Sequence, residues 1–212
     1  MKYFILILIS LITLIIFASY GLIQTSSADK ETVRIAEEYG GIYVFDKEIR
    51  DEIIQKEKGK KEYRGKYLGE YIQVGNETHF VDFTYLNNKF PQILPNGCKY
   101  YIKGPSKQEL KENDWSLYYQ KIKEYMGKEI FEKLKKSLAI TSYYVDKNGK
   151  VIPITMVTYI SDTITTYGLY GDEGAGFRLT NSYSVDIAGD NIFYLENGKF
   201  IKSDEKGKGA RH

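Results

Sequence analysis

Apolar residues run almost without interruption from Phe4 to Ile23, and the rest of the chain alternates polar and apolar positions in short periods. The run contains 20 residues and no charge, about the length a helix needs to cross a ~30 Å hydrocarbon core. Two readings fit it. One is an uncleaved transmembrane anchor. The other is a secretory signal peptide with its exit at Ser26-Ser27-Ala28 or Ser19-Tyr20-Gly21. Signal-peptide apolar centres span about 7–15 residues, so length favours the anchor. Lys2 is the only charge before Asp29 and keeps the N-terminus on the cytoplasmic side. Both readings place everything after residue 28 outside the cytoplasmic membrane, either tethered to it or secreted or periplasmic after cleavage.

Gln24 to Lys30 is small and polar and reads as a linker or cleavage zone. Glu31 to Tyr39 has a helical apolar spacing, with Asp29 as its cap and Gly40-Gly41 as its stop. Ile42 to Phe45 reads as a short buried strand. Ile49, Ile53 and Ile54 mark a helix that Gly59 should end. Tyr67–Val74 and Thr78–Leu86 read as a hairpin around Gly75-Asn76-Glu77. A loop with Pro91, Pro95 and Gly97 precedes a strand at Lys99–Lys103.

Ser106 and Glu109 form a capping box. From Trp115 through Tyr118, Ile122, Met126, Ile130 and Leu134 to Leu138, apolar residues recur every three or four positions. This predicts one amphipathic helix of about seven turns, crossing Gly127. The remainder predicts consecutive strands: 140–146, 151–161, 164–170, 177–187, 192–195 and 200–201. Asn148-Gly149 is the strongest hairpin signal among them.

Helices followed by a run of strands predict an α+β fold: a mainly antiparallel curved sheet packed against one long amphipathic helix, behind the N-terminal segment. The expected organisation is 1–28 as anchor or signal with linker, 29–203 as a single α+β domain, and 204–212 as a frayed charged tail.

Composition narrows the function. The chain has 30 Lys+Arg against 28 Asp+Glu, so no strongly basic nucleic-acid surface is expected. One cysteine excludes an internal disulfide. No His-x-x-x-His or Cys-x-x-Cys occurs, so no His/Cys metal site and no cofactor is expected. Twenty Tyr against four Pro point to an ordered, sheet-rich domain.

Chemistry is sparse. Cys98 and His79 are the only Cys/His pair away from the terminus, and no motif flanks either of them. Asp162, Asp172, Glu173, Asp186 and Asp190 could supply two opposed carboxylates for glycoside hydrolysis. Tyr67, Tyr71, Tyr100, Tyr101, Asp172 and Glu173 are the candidate binding residues, the tyrosines for stacking on sugars or anchoring a partner. The leading expectation is a membrane-tethered extracytoplasmic binding domain without catalysis, held through residues 4–23 and facing an envelope protein or polymer. A cell-envelope hydrolase using the 162–190 acids or Cys98/His79 is the alternative. A periplasmic inhibitor or immunity-type protein is a third.

Overall fold

The computed structural model describes residues 2–19, 23–158, 160–172, 174, 176–187 and 189–207. In chain order these form α1 (Lys2–Ser19), β1 (Ile23–Ser26), α2 (Lys30–Tyr39), β2 (Gly41–Val44) and α3 (Lys47–Tyr67). β3 (Tyr71–Val74), β4 (Glu77–Phe80), α4 (Phe83–Lys89), β5 (Lys99–Tyr101) and α5 (Lys107–Glu112) follow. Then come α6 (Ser116–Met126), α7 (Lys128–Leu134), a 3-10 turn at Lys135–Ser137, β6 (Leu138–Val145) and β7 (Val151–Thr158). β8 (Ser161–Asp172), β9 (Gly176–Asp186), β10 (Asn191–Glu196) and β11 (Lys199–Lys206) end the described chain. The architecture is α+β with mostly antiparallel strands.

The chain forms two compact units, residues 1–40 with 159–189, and residues 41–158 with 190–212. In the first, β8 is the central strand of a three-stranded sheet in the order β1-β8-β9, antiparallel throughout. Asp162 ties this sheet to the residues after α1. Its carboxylate accepts from the Ser26 hydroxyl at 2.5 Å, the Ser27 hydroxyl at 2.8 Å and the Ala28 amide at 2.7 Å. The expected linker is therefore sheet and cap. Asp29 caps α2 as expected, accepting from the Thr32 amide at 2.6 Å.

Among the described residues no helix is long and apolar enough to cross a membrane. Of the uncharged run, α1 as described covers Phe4 to Ser19 and β1 opens at Ile23, while Tyr20 to Leu22 lie outside the described residues. The uncharged part, Phe4 to Ser19, rises about 24 Å, short of a ~30 Å core. Described apolar side chains along α1 are exposed, among them Tyr3, Phe4, Leu6, Ile9 and Leu14.

The second unit holds a six-stranded sheet in the order β11-β10-β2-β7-β6-β5, plus the β3-β4 hairpin. β2 runs parallel to β10. Gly41 allows this approach: at φ +145° its missing Cβ would lie 2.1 Å from the Asn191 carbonyl oxygen. Consecutive residues are buried along β7 and β10, and successive side chains point to opposite faces, so the centre of the sheet is covered on both sides. Part of that core is aromatic. The Tyr43 ring stacks on Phe193 at 4.5 Å and meets Phe200 edge-on at 5.2 Å, and Tyr125 of α6 lies 5.1 Å from Phe193. Elsewhere Ile53 of α3 packs with Leu94, Cys98, Tyr100 and Ile154.

Three expectations need correction. The single long helix from Trp115 to Leu138 is two, α6 and α7, followed by a 3-10 turn, with Leu138 in a strand. Gly127 adopts φ +81°, ψ 158° between α6 and α7, a conformation open essentially to Gly alone, and this ends the helix although the apolar phase continues. Gly59 does not end α3, which runs on to Tyr67; one internal Gly costs about 1 kcal/mol against Ala, which neighbouring good helix formers absorb. The first-half hairpin is short, β3 to β4, because Asp82 caps α4 by accepting from the Tyr85 amide at 2.7 Å.

Candidate binding surface

Extending α3 past Gly59 brings Tyr63 and Tyr67 one turn apart on a helix rather than into a strand. Their rings lie 4.7 Å apart. Tyr63 also faces Tyr85 of α4 at 6.5 Å and Phe90 at 5.4 Å, and His79 of β4 lies 5.6 Å from Tyr85. The adjoining hairpin adds a second pair, Tyr71 and Phe80, with rings 5.1 Å apart. These side chains keep much of their surface in solvent: Tyr71 is 74% exposed and Phe80 48%. Two ammonium groups sit over the rings, Lys66 at 4.9 Å from Tyr67 and Lys89 at 5.0 Å from Tyr63. Lys60 donates to the Asn87 side-chain oxygen at 2.8 Å and adds a third positive charge nearby. Partial burial and a hydrogen bond with Tyr85 raise the Tyr63 phenol above its usual pKa, and a hydrogen bond to Tyr67 raises Lys66. Acids border the surface too: the Glu77 carboxylate lies 3.4 Å from His79 Nε2, the Asp82 carboxylate accepts from the Tyr85 amide, and Glu70 precedes Tyr71 in the chain. Aromatic faces rimmed by lysines can stack on sugar rings and hold an anion beside them.

Of the binding residues named from sequence, Tyr67 and Tyr71 belong to this surface. Tyr101 is half-buried on β5, stacked on Tyr143 at 4.8 Å with Lys99 and Lys103 beside it. Burial pushes the Tyr143 phenol up to about 12, with Glu109 adding to the shift. Tyr100 is 1% exposed, and its hydroxyl donates to Glu57 at 2.9 Å. It is a core residue, and burial raises its phenol well above the ordinary range. Asp172 ends β8 opposite Gly176. Glu173 lies outside the described residues.

Sequence reading misses Tyr63, Tyr85, Phe90 and Lys89 as members of one cluster. Spacing Tyr63 and Tyr67 four apart carries the signal, but only once the segment is read as helix.

Of the groups considered for catalysis, His79 belongs to this surface. The Cys98 side chain sits among Ile53, Leu94, Tyr100 and Ile154, with Ile49 and Tyr144 packed against them, while His79 lies in the hairpin beside Glu77 and Tyr85. Asp162 is held below the usual carboxylate range, first by the Ser26 hydroxyl and then by Ser27 and backbone amides, so it stays ionised and is a poor proton donor. Asp186 accepts from the Ser161 hydroxyl at 3.0 Å. Among the described residues no group of three or more His, Cys, Asp or Glu side chains could hold a metal ion. Compared with known proteins, the chain matches no family model, no curated sequence and no solved structure.

Proposed function

We propose that this chain is an extracytoplasmic binding domain held at a membrane by residues 4–23, and that the surface around Tyr63, Tyr67, Tyr71 and Phe80 takes an anionic envelope polymer. The observation that carries the tether is α1, whose described apolar side chains face solvent almost without exception. A helix apolar on all sides needs an apolar surrounding. Its shortfall against a typical hydrocarbon core is about 6 Å, which bilayers absorb by local thinning. The polymer assignment rests on exposed aromatic faces with lysines over them. Sugar rings stack on such faces and phosphate or carboxylate groups pair with the ammonium groups.

Two measurements test this. In the first, membranes from cells expressing the full chain are washed with alkaline carbonate. The chain is expected in the pellet at its full intact mass, and release into the wash or loss of residues 1–28 would remove the tether. In the second, the detergent-solubilised chain is sedimented with purified anionic cell-wall polysaccharide and with a neutral polysaccharide. Retention by the anionic polymer alone is expected, and equal retention by both, or by neither, would remove the ligand assignment.

A further inference from the structure

Among the described residues, sheet edges are blunted, with one exception. β11 carries Lys199, Lys202, Asp204, Glu205 and Lys206, β5 is three residues long, and β1, β3 and β4 are four each. Short or charged edges resist pairing with foreign strands. β9 is long and carries only two charges in its 11 residues. It runs 11 residues as Gly-Phe-Arg-Leu-Thr-Asn-Ser-Tyr-Ser-Val-Asp, pairs with β8 on one side, and meets no described strand on the other. Leu179 is 73% exposed, Phe177 64% and Tyr183 45%. An open apolar edge of this length is a template for another strand.

The strand itself says which one. Its only charges are Arg178 and Asp186, four residues either side of Ser182. An antiparallel copy of β9 centred on Ser182 puts each Arg178 opposite the other copy's Asp186. The same register sets Leu179 opposite Val185, Thr180 opposite Ser184 and Asn181 opposite Tyr183. Opposite charges and apolar pairs directly across a ladder stabilise it. Sliding the register by two residues separates both charge pairs, and in-register parallel pairing places like charges side by side. In the single chain, Arg178 donates to the Asn181 side-chain oxygen at 2.8 Å and Asp186 accepts from the Ser161 hydroxyl at 3.0 Å. Those partners are neutral and surface-exposed or half-exposed, so an opposite charge can replace them.

We infer that β9 is a self-association edge: two copies of this chain join antiparallel about Ser182 into a continuous six-stranded sheet, β1-β8-β9 followed by β9-β8-β1 of the second copy. Such a pairing is isologous and closes at two.

Sedimentation velocity of the full chain in detergent, with a cysteine series beside it, tests this. The wild type is expected to sediment as a dimer. R178D and D186R each turn two attractive pairs into two repulsive ones and should weaken dimerisation by about tenfold or more. The double exchange R178D/D186R should restore the dimer. S182C should form an inter-chain disulfide under mild oxidation. T180C alone should not, whereas T180C mixed with S184C should; the wild type, with Cys98 buried, is the control. Circular dichroism of each variant confirms folding. A monomeric wild type, a dimer indifferent to both charge reversals, or linking by T180C as efficient as by S182C would overturn the inference. None of these readouts involves a ligand, so their failure leaves the proposed polymer binding untouched.

Discussion

The Ser26 hydroxyl donates to the Asp162 carboxylate at 2.5 Å, joining the residues just after α1 to a strand that begins 135 positions later in the chain, at Ser161. Ser27 and Ala28 reach the same carboxylate. The pKa of Asp162 is thereby depressed, foremost by Ser26. A carboxyl whose folded pKa lies below its unfolded value stabilises the fold above the unfolded pKa, and that contribution is lost as pH falls through the folded one. Urea titrations of wild type and D162N should differ most at neutral pH and converge in acid. Equal midpoints at pH 7 would show that the carboxylate contributes nothing.

Gly127 should resist substitution. G127A forces a side chain into φ +81°, ψ 158° and is expected to lose about 1–3 kcal/mol. Nothing lies within 4 Å of the added Cβ, so the loss comes from the backbone and not from a clash. If G127A unfolds at the wild-type urea concentration with unchanged helical signal, the break between α6 and α7 has another cause.

Cys98 should behave as a core thiol. Native protein is expected to react with a thiol-specific dye far more slowly than protein in urea, because only 9% of the residue is exposed. C98A should cost about 1 kcal/mol through lost packing. Fast labelling of the native chain would put the thiol at the surface.

Tyr71 offers the cleanest separation of binding from stability. At 74% exposure, Y71A should shift folding stability by no more than about 0.5 kcal/mol. Its retention by the anionic polymer should fall, and Y71F should restore most of it if stacking is the contact. A Y71A chain that unfolds early, or binds as the wild type does, would count against the surface described above.

The strands from residue 140 onward are legible in the sequence, because their turns carry strong local signals. Asn197 and Gly198 both adopt positive φ, 49° and 82°, as a two-residue hairpin turn requires. Strand partners are not legible. β2 and β10 lie about 150 residues apart in sequence yet run side by side, and no local pattern specifies that pairing. β8 and β9 read as further strands of one sheet but form their own with β1, since alternation reports a face and not a neighbour. Gly59 and Gly127 show why one residue type misleads twice. The first is helical and the second breaks the helix, and the deciding variable is the backbone angle, which composition does not report. At the candidate surface, Tyr67 and Tyr71 are legible as aromatic residues, but their neighbours Tyr85 and Phe90 come together only through the turn that Asp82 starts.

The pairing of β1 with β8 also sets a distance. Ser19 ends α1 and Ile23 opens β1, so four peptide steps, at most about 14 Å, separate them. A free linker at 24–30 would add up to about 25 Å of reach to the following sheet. Here those residues are committed to hydrogen bonds, and the β1-β8-β9 sheet stays within one leash-length of whatever surface holds the helix. Its reach is short, and any strand that joins β9 has to come to that surface to do so.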